Sequence, residues 1–366
     1  MQVFNQTRFV HQHTTGMDIK GHEYLSLVVR GTFDFPDDSR SVPQPSAEQL
    51  PLVMADEATG EPGFSATMWE TDFAFRKPHT EVIAQGAAYA PGGKPAERVR
   101  VGIKVDDWVK QFDVVGYREW RNAGPAILAT RPVPFTKQTF SYDTAFGGPD
   151  RLDPDEPKPY VYMPNPVGRG FATVRNQDRI NGLALPNTEE VGAEIRSPYD
   201  DYKPMALGPV ARGHPDRLPF GGTYDDNWVD NIFPFLPPDF DERYYQSAPQ
   251  DQWIKPLRSG AQVIIVGMTP AGREVFGLPD VDLPITIFRG RDKCLQQVAK
   301  ADTLIFDTEA RTLSLVWRVD VRIKKHITEF SAAWVGAPTN AMQRAYDEKR
   351  EYIRAVATAV PGGEEP

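Results

Sequence analysis

Between Thr223 and Glu242 the chain sets Asp225, Asp226, Asp230, Asp239, Asp241 and Glu242 among Tyr224, Trp228, Phe233 and Phe240. Carboxylates beside aromatic rings are what a glycoside-cleaving cleft uses: one acid, one base or nucleophile, and rings on which a sugar stacks. An acidic, proline-rich surface loop has the same composition. The spacing fits no EF-hand, because the central Gly and the closing Glu are missing. Two glycine-rich stretches, Gly147-Gly148 after Phe146 and Asn165-Pro166-Val167-Gly168-Arg169-Gly170, can aim backbone N–H groups at a phosphate with Arg169 as its clamp. A dinucleotide fingerprint needs a strand before and a helix after, and neither pattern surrounds these residues, so they read as tight turns against aromatic rings. His11 and His13, two residues apart, share one face of a strand, but no carboxylate or third imidazole accompanies them. Cys294 is the only cysteine; without a flanking His it reads as a small buried apolar residue, and an internal disulfide or a cysteine-based zinc site is excluded. The sequence holds no Gly-x-Ser-x-Gly elbow, no His-Glu-x-x-His and no Walker loop. The residues therefore point to no catalytic group, no metal and no cofactor.

The elements that must carry these residues are mostly strands. Arg98 to Val105 puts Val99, Val101, Ile103 and Val105 on one face. After the Asp106-Asp107 break, Trp108 to Gly116 continues as its hairpin partner. Glu81 to Ala90 reads as a third strand of the same meander. Tyr24 to Phe35 alternates Leu25, Leu27, Val29, Gly31, Phe33 and Phe35 with Ser26, Val28, Arg30, Thr32 and Asp34, a long strand. Leu52 to Ala55 is expected to return beside it. Further on, Gln262–Val266, Glu274–Leu278, Leu283–Phe288 and the hairpin of Thr303–Asp307 with Leu313–Ile323 follow. Thr339 or Asn340 can cap a helix running to about Val356. Between Pro132 and Pro256 strand periodicity fades while aromatic residues stay frequent, so ordered irregular structure is expected rather than disorder. The predicted class is mainly β: a β-rich lobe over 1–131, an irregular middle over 132–256, a second β-rich lobe over 257–336, and a helix and tail over 337–366.

Across 366 residues, 40% are hydrophobic and 25% charged, an ordinary balance for a globular chain, while 34 Pro and 29 Gly call for many turns. A net charge of −9 argues against broad nucleic-acid binding and against attraction to anionic membranes. No signal segment and no run of about 18 apolar residues is present, which places the expected protein in the cytoplasm.

The landmarks also stand in a specific order. Asp72…Lys77-Pro78…Thr80-Glu81-Val82…Gly86-Ala87-Ala88…Pro91 precedes Val114-Val115-Gly116-Tyr117-Arg118-Glu119-Trp120. Ala145-Phe146-Gly147-Gly148, Asn165 to Gly170, Gly222 to Trp228 and Pro237-Pro238-Asp239-Phe240-Asp241 follow. This order resembles the domain-of-unknown-function family encoded beside type VI secretion spike and effector genes, whose members are thought to act as effector adaptors or chaperones. The resemblance runs over about residues 1–335 and implies no catalytic residue. Lys77, Pro78, Gly86, Trp120, Phe146, Gly147, Gly148, Asn165, Pro166, Gly168, Arg169, Gly170 and Asp239 enter it as motif positions with structural roles. It implies a bacterial cytoplasmic protein that holds a secreted toxin or its PAAR-domain segment and delivers it to the valine-glycine-repeat spike. Neither nucleic acid nor membrane insertion takes part, and self-assembly is left open. Tyr224, Trp228, Phe233 and Phe235 are the expected client-binding residues, the alternative being that they pack their loop onto the scaffold. A carbohydrate-active enzyme or glycan-binding protein using 224–242 is the second expectation. A structural component or an immunity protein of the secretion locus is the third.

Overall fold

The computed structural model describes residues 1–38, 41–124, 126–153, 155–173, 177–290 and 293–350. It is mainly β, as expected. Contacts divide the chain into two compact units, each discontinuous in sequence: Arg8–Leu283 with Ala299–Lys324, and Met1–Thr7 with Pro284–Val298 and Lys325–Pro366.

In the larger unit the strand Glu23–Asp34 lies antiparallel to Thr312–Arg322, in register from Asp34↔Thr312 to Tyr24↔Arg322. Val10–Met17 pairs along its other side. Beyond Thr312–Arg322 come Ala301–Asp307, then Glu81–Gln85 in parallel, then Trp253–Ile254. The predicted apolar face is buried: Leu25, Leu27, Val29 and Phe33 meet Leu313, Leu315, Trp317 and Val319. The opposite face is buried too. Val28, Ile83, Ala248, Ile305 and Val316 form a second core under Leu52, Trp69, Phe73 and Trp253, because segments from the irregular stretches lie across it. Arg30 survives burial by pairing with the Asp72 carboxylate at 3.1 Å and donating to Ser314 Oγ at 3.3 Å. Gln44–Pro45, and not Leu52 to Ala55, returns along the strand. Val53 instead donates its N–H to Asp72, whose carboxylate already serves Arg30, and this holds the segment out of the sheet.

A second sheet holds the expected hairpin, Arg98–Val105 with Trp108–Val115, turning at Asp106 with φ 49°. Gln262–Val266 pairs on the outer side of Arg98–Val105 and carries Arg273–Gly277 as its own hairpin partner; Thr188–Glu189 closes the other edge. The expected meander is corrected. The stretch from Glu81 to Ala90 breaks at Gly86, where φ is 156° and an added Cβ would land on Thr308 Oγ1, so its halves go to different sheets. Thr80–Gln85 joins the first sheet, and Ala87–Tyr89 pairs with Lys137–Thr139.

The smaller unit pairs Gln2–Asn5 in parallel with Ala332–Val335, which runs antiparallel to Ile285–Phe288. Phe4, Phe288, Trp334 and Met342 form its core with Tyr346 against them. Thr339 caps the helix Asn340–Asp347, its Oγ1 accepting the Met342 N–H at 3.2 Å. Lys349, at φ 53°, ends the described turn; the remainder of the expected run to Val356 lies outside the described residues. Cys294 is half-buried rather than buried, its Sγ 3.2 Å from the Tyr346 hydroxyl.

Candidate docking surface

The acidic, aromatic stretch forms a loop closed at its base by a carboxylate. Asp239 accepts the Thr223 N–H at 3.0 Å and its hydroxyl at 2.8 Å, which brings the two ends of the loop together. Asp225 caps the short helix Asp226–Asn231 by accepting the Trp228 N–H at 2.8 Å. The Trp228 indole then donates to the Phe235 carbonyl at 2.9 Å, tying the helix to the returning chain. Tyr224 and Phe233 meet the Trp228 ring edge-on, with centroids 4.7 Å and 5.5 Å away. Phe235 lies over Gly21 in the turn after Val10–Met17, so closely that a Cβ there would sit 2.8 Å from its ring. The outer surface stays bare: Tyr224 is 55%, Val229 60% and Phe233 66% exposed. Trp228 is half-buried and Phe240 is buried against Tyr244 and Tyr245.

Asp225, Asp239 and Asp241 thus serve the loop's own backbone. Asp241 caps the turn Glu242–Tyr245 and holds the Arg243 guanidinium, while Glu242 pairs with Arg76 at 2.8 Å. Bonds from Thr223 hold the Asp239 carboxyl below its usual range, and the Arg243 side chain does the same for Asp241. A general acid needs the opposite shift. Asp226 and Asp230 stand exposed on the helix, and among the described residues neither has an ion-pair partner.

Upstream, Lys77 pairs with Glu81, which is fully buried. Glu81 also accepts hydrogen bonds from Gln246 Nε2, the Ser247 N–H and hydroxyl, and the Ala248 N–H. This clasp fixes the segment that follows the aromatic loop. The glycine-rich stretches form a second fixed point. Phe146–Gly147 runs parallel to Arg169–Gly170, and Asn165 Nδ2 donates to the Tyr142 and Phe146 carbonyls. A Cβ on Gly148 would fall 2.0 Å from the Gly168 carbonyl oxygen, so the glycines allow backbone to touch backbone. A model of the bacterial family DUF2169, described as an uncharacterized protein conserved in bacteria, matches residues 20–318. The chain belongs to this family. No curated protein and no solved structure matches it.

The DUF2169 match takes in the clasp, the glycine knot and the aromatic loop, and it ends within the strand Thr312–Arg322. Two of the ordered motif residues lie in a core. Trp120 and Phe146 share a core with Ile180, Leu185 and Ile195, packed by Tyr162, Phe171 and Tyr202. Pro78 lies between the clasp residues, and Pro166 follows Asn165 on the wall of a cavity of about 200 Å³ that Tyr142, Val210 and His214 also line. Burial lowers the Arg169 guanidinium from its usual range. His11 and His13 lie on the strand Val10–Met17, and burial holds both imidazoles below their usual value. Among the described residues no three His, Cys, Asp or Glu side chains gather as metal ligands, and no helix is long and apolar enough to cross a membrane. Val229, the exposed aliphatic member of the aromatic surface, escaped sequence reasoning, although it lies one residue past Trp228 on a stretch that Asp225 and Asp226 mark as a helix start. His214 escaped too, since nothing around it forms a motif.

Proposed function

We propose that this DUF2169 protein is a non-enzymatic adaptor or chaperone of the bacterial cytoplasm, which binds a type VI secretion effector and helps load it onto the PAAR-tipped spike. The observation that carries the proposal is the exposed aromatic surface of Tyr224, Val229, Phe233 and Phe235 around the half-buried Trp228. Large apolar side chains clustered in water are used for partners, and single exposed ones need no explanation. The loop is also tied by its own bonds, the Asp225 cap, an indole hydrogen bond and the Asp239 closure, without any partner. A surface fixed in advance loses little further freedom on binding. The secretion setting rests on the resemblance in the order of motifs, and the use of Asp225 and Asp241 as caps favours binding over glycoside cleavage.

The test is co-purification of the tagged protein with the products of its neighbouring genes, followed by size-exclusion chromatography with light scattering. A stable complex with a toxin or PAAR-domain protein, the toxin still active while bound, is the expected result. Elution alone, together with binding or cleavage of a glycan, would overturn it.

A further inference from the structure

We infer that the aromatic loop docks a protein segment whose apolar residues are flanked by Lys or Arg. This deepens the adaptor reading and rests on it only in taking the loop as a docking surface. From Leu218 to Glu242 the chain carries six acidic residues and no Lys, Arg or His. Asp241 and Glu242 are neutralised by Arg243 and Arg76. Asp225, Asp226, Asp230 and Asp239 are left, and among the described residues none has an ion-pair partner. They stand beside Tyr224, Val229 and Phe233, so any client covering the rings brings its own side chains against four carboxylates. An acidic client is repelled there, and an uncharged one must strip water from carboxylates without return. A client with basic residues beside its apolar ones satisfies both the rings and their rim. The charge pattern selects the client, while Trp228 packs against the Tyr224 and Phe233 rings.

Fluorescence anisotropy with two labelled amphipathic peptides of about five helical turns, one of Leu and Lys and one of Leu and Glu, tests this. The Leu/Lys peptide is expected to bind, the Leu/Glu peptide to fail, and binding to weaken as salt is raised. Tyr224→Ser with Phe233→Ser should weaken the Leu/Lys peptide at least about ten-fold, since exposed rings at the centre of an interface carry most of its affinity. Asp226→Asn with Asp230→Asn should weaken it several-fold and flatten the salt dependence, with the thermal midpoint unchanged. Equal binding of both peptides, or Leu/Lys binding that neither pair of substitutions alters, overturns the inference. Co-purification is run on the same proteins. A neighbouring product retained by the Tyr224→Ser, Phe233→Ser protein also overturns the inference while the adaptor reading stands. Peptide discrimination in a protein that captures no neighbouring product supports the inference and removes the adaptor reading.

Discussion

Glu81 is fully buried, and a carboxylate taken out of water is tolerable only where its charge is met. Four hydrogen bonds from Gln246, Ser247 and Ala248 and the Lys77 ammonium meet it here. Burial alone would raise its pKa, but Lys77 and these donors hold it below the usual 4.5. The folded protein therefore binds this proton less readily than the unfolded chain. Its contribution to stability is complete above the unfolded value and is lost as pH falls below 4.5 through the lower folded value. Glu81→Ala leaves Lys77 buried without a counter-charge and should cost about 3–5 kcal/mol in urea denaturation at neutral pH. Relative to the native protein, Glu81→Gln should flatten the fall in stability between neutral pH and pH 3; an unchanged slope would remove the clasp from the account. Lys77 and Glu81 were legible as motif residues, but the other partners of Glu81 lie 165 to 167 residues further on, where no local pattern points. The acids of the loop were legible as chemistry for a different reason. Capping and catalysis use the same side chain, and only geometry separates Asp225 or Asp239 from a proton donor.

At the scale of elements, the short helix Asp226–Asn231 depends on its cap. Its six residues make few internal hydrogen bonds, so the Asp225 bond to Trp228 is a large share of what holds it. Asp225→Ala should cost about 1 kcal/mol, felt in the loop and not in the sheets. Hydrogen exchange at Val229 and Ile232 should then quicken by roughly five-fold, with the strand Glu23–Asp34 unaffected. Exchange that quickened equally everywhere would mean the loop is part of the global folding unit. Strands were the legible elements, because alternation of Leu313, Leu315, Trp317 and Val319 records itself in sequence whatever the partner. Which of their faces meets solvent was not legible: Ser26, Arg30 and Thr32 look wet, yet all three are buried because chain from elsewhere covers them. The break at Gly86 was hidden likewise, since its cause is the approach of Thr308.

At the scale of the molecule, the two large sheets of the larger unit are assembled from both ends of the chain. Asp34 pairs with Thr312, Glu81 with Thr303, and Val105 with both Trp108 and Val263. Periodicity identifies a strand but carries no address for its neighbour, so these pairings were out of reach of sequence reasoning, whereas the hairpins were not. The pairings predict how the chain divides. A fragment of residues 1–256 keeps the strand Glu23–Asp34 but loses Thr312–Arg322, leaving Leu25, Leu27 and Val29 without their cover and a long edge unpaired. It also loses Gln262–Val266 from beside Arg98–Val105. Neither that fragment nor 257–366 should fold alone, and circular dichroism with one-dimensional NMR should find both without fixed tertiary packing. Expressed together, they should associate and regain the native spectrum, because the missing strands are supplied in trans. Independent folding of 1–256 would mean that its own core suffices and that the long-range pairs add little. Closure of such distant contacts is slow, so refolding of the intact chain should take milliseconds to seconds or longer, and Leu315→Ala, at the centre of the shared core, should destabilise the chain by about 2–5 kcal/mol.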